Sequence, residues 1–343
     1  MLLILKKYFN IYIPLFLLGL LSVLTLWGIN KPNLALRQFF YFSIGFFIIV
    51  VFNQLRVNFF HKKFLIIFSC LIFILMLIAY FFGYKKAWIN FYLFSFQPIE
   101  FLKIVFILSL AYFLKNYSQI KNLIDFLPLA VILGITFILI YFQKDMGSFL
   151  IFFIIWFLLV INYLNLRLKI LIITLSLALV LISWLFILKD YQKERIFNFI
   201  FPKKDIFGSG YNAFQSKITF VSGGILGKGF GGGFQSIYGF LPSASTDFLL
   251  AAFSEQFGFV GFFIFLIIFA YFWHELNNLK KFLKQPEKII FLNGIKIWYL
   301  IQFFVNSFMN IGLFPIIGVP FPFFSYGGSH ILAEFLALAM ILP

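Results

Sequence analysis

The sequence predicts an all-α integral membrane protein: a bundle of about ten transmembrane helices with one long extracytoplasmic loop. Three observations carry this. Of 343 residues, 63% are hydrophobic and 11% charged, with a mean hydropathy of +1.04, against about half apolar and about one quarter charged in a soluble domain. Ten apolar runs, near 9–28, 38–54, 64–82, 98–115, 125–142, 147–163, 168–188, 248–274, 287–313 and 325–342, approach the roughly 20 residues a spanning helix needs. The one long polar segment runs from Lys189 to Asp247.

Taken in order, the first run follows Lys6 and Lys7 and shows no small-residue cleavage site, so it is read as a retained span rather than a removable signal. The link at 142–148 is so short that spans five and six must form a tight hairpin. Span seven leads into 189–247, and three further spans close the chain. No internal repeat is visible, so residues 1–343 are read as one polytopic domain containing that loop. With the N-terminus inside, the short loops carry 13 Lys and Arg on the cytoplasmic side against five outside. Long loops translocate largely regardless of charge, so 189–247 is set aside and both termini are expected in the cytoplasm.

Composition also excludes function classes. Cys70 is the single cysteine and the histidines are His61, His274 and His330, so neither a disulfide framework nor a Cys–His metal cluster can form. The net charge is +16, but the basic residues sit between apolar runs, not on the soluble basic face that nucleic-acid binding requires. Gly227-Lys228-Gly229-Phe230-Gly231-Gly232 fits a dinucleotide fingerprint, which functions only as a strand-to-helix turn inside a βαβ unit. Here it lies in a loop between spans. Glycines in this loop are expected to permit tight bends or close backbone approach. Apolar residues spread through it, among them Ile196, Phe199, Ile218 and Phe240, predict that it folds over the outer mouth of the bundle as short helices and turns.

Ionisable residues within spans cost at least ~2.5 kcal/mol each on insertion scales. Glu100 and Lys103 share a helical face at i, i+3, either as a neutralised pair that fixes packing or as part of a substrate path. Glu255, Lys296 and Glu334 lie in the last three spans with partners the sequence does not reveal. Asp247 sits where the outer loop re-enters the membrane, in Leu241-Pro242-Ser243-Ala244-Ser245-Thr246-Asp247-Phe248. Thr246 or Asp247 can cap the following helix. Alternatively, a partly desolvated carboxylate there binds protons more tightly and becomes a better general base.

These residues carry a resemblance. Glu194-Arg195 through Gly239, then Leu241-Pro242, Thr246-Asp247-Phe248, Glu255 and Gly258, resemble the signature loop of the SEDS family (shape, elongation, division and sporulation). Trp88-Ile89 with Phe94 to Lys103, Gln143 with Asp145-Met146-Gly147, and Val319 to Ser329 resemble three further family blocks, in the family's order. Gly210-Tyr211, Gln215-Ser216-Lys217-Ile218 and Ser222-Gly223-Gly224 are closer to the rod-shape branch, RodA, than to the division branch, FtsW. The chain departs at Ala87, where the family usually has arginine, at Lys144, which replaces a proline, and at Ser243-Ala244-Ser245, which replaces a more polar stretch.

The resemblance implies a peptidoglycan glycosyltransferase of the bacterial plasma membrane that polymerises lipid II with inversion and release of undecaprenyl pyrophosphate. Asp247 would be the catalytic base. Lys217, Lys228 and Lys103 would serve the pyrophosphate end of the substrate and Gln215, Ser216 and Gln235 the sugar hydroxyls, with Glu100 beside Lys103 a further substrate-binding candidate. A divalent cation, Mg or Mn, is compatible with such a leaving group, although no metal-ligand cluster is evident. A class B penicillin-binding protein is the implied partner. A lipid-linked-precursor flippase, a division-branch polymerase and a non-catalytic scaffold are the alternatives.

Overall fold

The computed structural model describes residues 2–55, 59–91, 94–143, 145–201, 208 and 210–342. Each expected span is a helix. The first seven are α1 (Leu2–Gly28), α2 (Pro32–Leu55), α3 (Lys62–Phe82), α4 (Pro98–Leu114), α5 (Leu123–Gln143), α6 (Met146–Val160) and α7 (Leu166–Ile182). The loop then contributes α8 (Asp190–Ile200), α9 (Tyr211–Ser222) and α10 (Phe234–Ile237), followed by α11 (Leu249–Asn278), α12 (Pro286–Ile311) and α13 (Gly328–Ile341). A short antiparallel ladder, Ile89–Asn90 with Ser95–Phe96, precedes α4. Lys144 lies outside the described residues.

Among the described residues, seven helical segments are long and apolar enough to cross a membrane. Helices α4, α6 and α13, with 17, 15 and 14 residues, are shorter than a bilayer-spanning segment. Almost every residue of α4 and α13 is buried by neighbouring helices, and backbone surrounded by protein need not run helically through the full hydrocarbon depth. The stretch leading into α13 shows how this works. Phe321 N–H donates to Ser325 Oγ at 2.8 Å, Gln38 Nε2 donates to the Ser325 carbonyl at 3.1 Å, and Ser22 Oγ donates to the Phe324 carbonyl.

The periphery inverts the usual soluble pattern. Phe47 and Phe82 are 67% and 87% exposed, and in α7 only Leu168 and Ile172 are buried. Large apolar side chains facing outward on this scale identify a lipid-facing surface. The chain is therefore an all-α, multi-pass membrane protein.

The glycine-rich loop positions the site by entering a break in α11. Gly258 has φ +67° and ψ −166°, which interrupts the helix. The break frees carbonyls before it and N–H groups after it, which would otherwise be buried without partners. The loop supplies both kinds of partner. Lys228 and Gly229 N–H donate to the Glu255 and Gln256 carbonyls at 3.0 Å each, and Phe259 and Val260 N–H donate to Gly224 and Ile225 carbonyls at 2.9 and 3.0 Å. A Cβ on Gly227 would collide with the Gln256 carbonyl, and one on Gly258 with Gly227 N. The apparent dinucleotide fingerprint is thus a backbone splint, and the expected close approach is made to α11.

Candidate active site

Asp247 lies between Ser243, which adopts a left-handed φ of +55°, and the start of α11. Neither Thr246 nor Asp247 caps that helix; the N-cap position belongs to Phe248, without a side-chain bond. The Asp247 backbone is held from α12 instead. Asn306 and Asn310 each donate Nδ2 to its carbonyl at 3.0 Å, Asn306 also donates to the Val319 carbonyl at 2.7 Å, and Ala251 N–H donates to Asn310 Oδ1 at 3.0 Å. Both asparagines are fully buried, so the carboxylate stands on a rigid base, and the carboxylate itself is half-buried. Gly318 approaches it, since a Cβ there would lie 3.6 Å from Asp247 Oδ2. Burial raises the Asp247 pKa to about 6, against the opposing pull of the Arg195 guanidinium.

A shallow open cleft lies on the Arg195 side, lined among others by Arg195, Lys217, Phe214 and Ile316. Arg195 Nη1 donates to the Ile316 carbonyl at 3.2 Å. Lys217 extends from α9 across Gly312, which ends α12 with φ +73°; a Cβ on that glycine would occupy the position of Lys217 Cε. Two cations therefore border one cleft; Asp247 does not line it, and feels it through the charge of Arg195. Gly147 packs closely against the stretch after α12, because a Cβ on it would meet the Ile317 carbonyl at 2.6 Å. Asp145 caps α6, accepting from Ser148 N–H at 3.0 Å and Ser148 Oγ at 2.7 Å.

The other sequence-derived candidates divide. The Gln215 and Gln235 amide oxygens are buried and have no hydrogen-bond partner among the described residues, a state that suits acceptors awaiting a hydroxyl donor. Lys228 is exposed while its backbone joins the α11 splint. Ser216 is fully buried and donates Oγ to the Asn310 carbonyl at 2.8 Å, so it ties α9 to α12 and does not face the cleft.

Glu100 and Lys103 do not reach the cleft surface either. They are 5% and 1% exposed and paired at 2.8 Å, with the Lys103 ammonium 5.2 Å from the Trp298 ring. The pair extends into a buried network. His330 Nδ1 lies 3.5 Å from Glu100 Oε2 and His330 Nε2 lies 3.3 Å from Glu334 Oε1, and Glu334 Oε2 accepts from Phe323 N–H at 2.8 Å. This is the packing reading of Glu100 and Lys103, and it supplies the partner of Glu334. Glu255 is equally internal: its carboxylate accepts from Gln235 N–H, Ser236 N–H and Ser236 Oγ at 2.8, 3.0 and 2.6 Å, fixing the start of α10.

Arg195 is the residue that sequence reasoning underweights. It stands in the quoted Glu194-Arg195 pair, but only the return of α8 to the 314–316 stretch gives it a place. Among the described residues no group of three or more His, Cys, Asp or Glu is placed to hold a metal.

With that geometry in place, the comparisons with known proteins are direct. A profile of the cell cycle protein family of FtsW, RodA and SpoVE matches residues 3–343. The sequence is 31% identical over 270 residues to a probable peptidoglycan glycosyltransferase FtsW of Pasteurella multocida, covering 75% of this chain and 66% of that protein. It is 29% identical over 336 residues to the peptidoglycan glycosyltransferase MrdB of Escherichia coli, covering 96% and 91%. Its fold matches a chain of a peptidoglycan synthase complex that coordinates polymerization and crosslinking, with TM-score 0.81, 23% identity and coverage of 97% and 96%.

Proposed function

The chain belongs to the FtsW, RodA and SpoVE family of cell cycle proteins, and from that premise we propose that it is a peptidoglycan glycosyltransferase that polymerises lipid II. The observation that carries the reading is Asp247, a carboxylate with its pKa lifted to about 6 and lying within the field of Arg195, which with Lys217 borders a cleft. A general base works best when its pKa lies near the operating pH. Asp247 takes the proton of the acceptor sugar's 4-hydroxyl as that oxygen attacks the anomeric carbon of the donor chain. The bond to the pyrophosphate oxygen breaks, and Arg195 and Lys217 stabilise the charge that develops there. Attack opposite the leaving group inverts the anomeric centre, and one base with a pre-activated leaving group suffices.

Gln215 and Gln235, whose buried amide oxygens have no hydrogen-bond partner among the described residues, are the sugar-binding candidates of this reading. Assignment to the rod-shape branch rests mainly on Gln215 to Gly224 and Val319 to Pro322. A class B penicillin-binding protein as partner is supported by the fold match to a synthase that couples polymerization with crosslinking. We place Asp247 outside the plasma membrane and both termini in the cytoplasm, on the distribution of Lys and Arg among the short loops.

Purified chain in vesicles with lipid II tests the assignment. Asp247→Asn is expected to lower strand formation by at least about 100-fold while lipid binding persists. Strands formed at the normal rate would refute the base assignment. Polymerisation lost with transbilayer movement of lipid II retained would make transport an additional activity of the chain.

A further inference from the structure

Lys296 takes no part in the site above. It lies ten residues past Pro286 in α12, roughly 15 Å along the helix, and a similar distance from Asn306, which holds Asp247. The ion pairs of the described residues join Lys103, Lys115 and His330 to Glu100, Glu287 and Glu334; Lys296 joins none of them. Its ammonium instead stands 5.4 Å from the Trp273 ring. A cation at this depth without a carboxylate requires another source of negative charge or polar solvation.

The surroundings indicate which. Lys296 and Trp273 line an open cleft between α6, α11 and α12, together with Asn162, Tyr163, Asn293 and the apolar Leu159 and Leu300. Leu158, also in the lining, is 41% exposed, the one exposed position among the described side chains of α6, so the cleft opens at the apolar periphery of the bundle, where hydrocarbon lies. A free anion would have to cross that hydrocarbon, whereas the phosphate of a lipid arrives laterally with its chains already in the bilayer. Lys280, Lys281 and Lys284, all exposed in the adjoining α11–α12 loop, concentrate anionic headgroups at this end of the bundle.

We propose that this cleft binds the phosphate group of an anionic membrane lipid, with Lys296 as counter-ion, Asn162, Asn293 and Tyr163 as the available polar groups, and the leucines against the chains. The site stands apart from the Asp247 reading and does not depend on it.

Native mass spectrometry of the full chain in detergent tests it, with phosphatidylglycerol, phosphatidylcholine and undecaprenyl phosphate as probes. Phosphatidylglycerol is expected to be retained about five-fold more tightly than phosphatidylcholine, the value of one lysine–lipid charge contact. Lys296→Gln removes that preference, and Lys62→Gln, which alters an exposed lysine at the start of α3, keeps it. Leu300→Trp, which fills the cleft and leaves the charge, also lowers retention and serves if Lys296→Gln fails to fold. Undecaprenyl phosphate that displaces phosphatidylglycerol only when Lys296 is present would identify a polyprenyl lipid as the occupant; phosphatidylglycerol that holds against it would identify a phospholipid. Phosphatidylglycerol binding that is equal in wild type, Lys296→Gln and Leu300→Trp would overturn the proposal.

Discussion

At Asp247 burial and the Arg195 charge oppose one another, and burial prevails, leaving the carboxyl near 6 against an ordinary value of 3.8. Because the folded-state pKa lies above the unfolded one, folding is favoured by this group below about 4 and loses that contribution as pH rises through about 6. Asp247→Asn is therefore expected to melt at a higher temperature than wild type at pH ~8, with the difference closing by pH ~4; thermal unfolding in detergent at the two pH values checks it. The carboxylate was open to sequence reading, because an acid at the edge of a hydrophobic run is conspicuous. Arg195 was not, because its place depends on how α8 folds back. The same limit applies to His330: its i, i+4 spacing to Glu334 is visible in the sequence, but the approach of both to Glu100 is a matter of helix packing.

Elements were legible in proportion to hydropathy. All ten apolar runs became helices, since a bilayer leaves buried backbone little alternative. The loop helices α8 to α10 were foreseen only as short helices and turns, and the break in α11 not at all. Gly258 carries no visible signal inside an apolar run; its φ of +67° matters because Gly224 to Gly229 lie against it. Gly258→Ala combines a disfavoured φ with a collision against Gly227 N and is expected to cost on the order of 2 kcal/mol, measured as chain stability in detergent. Asn310→Leu leaves Ala251 N–H without its acceptor and removes one support of the Asp247 carbonyl. Each buried group left unpaired costs about 1–3 kcal/mol, and the reaction rate should fall with stability because the base loses its fixed position.

Across the whole molecule, a buried charged network ties helices of the bundle together. Glu100, Lys103, His330 and Glu334 join α4 to α13 beneath Phe321 and Phe323. Breaking a buried pair leaves an uncompensated charge and costs about 3–5 kcal/mol, so Lys103→Met should be poorly stable. Glu100→Gln with Lys103→Met should recover part of the loss; a double-mutant cycle on unfolding temperature reads the coupling. The account as a whole turns on proton removal by Asp247, and the pH profile of strand formation from lipid II in vesicles tests it most directly. The rate should rise with pH and reach half its plateau near 6, the midpoint should move to higher pH in Arg195→Gln, where the cation no longer opposes burial, and Asp247→Asn should form no strands at any pH. A rate that is flat from about pH 5 to 8, or normal strands from Asp247→Asn, would contradict it.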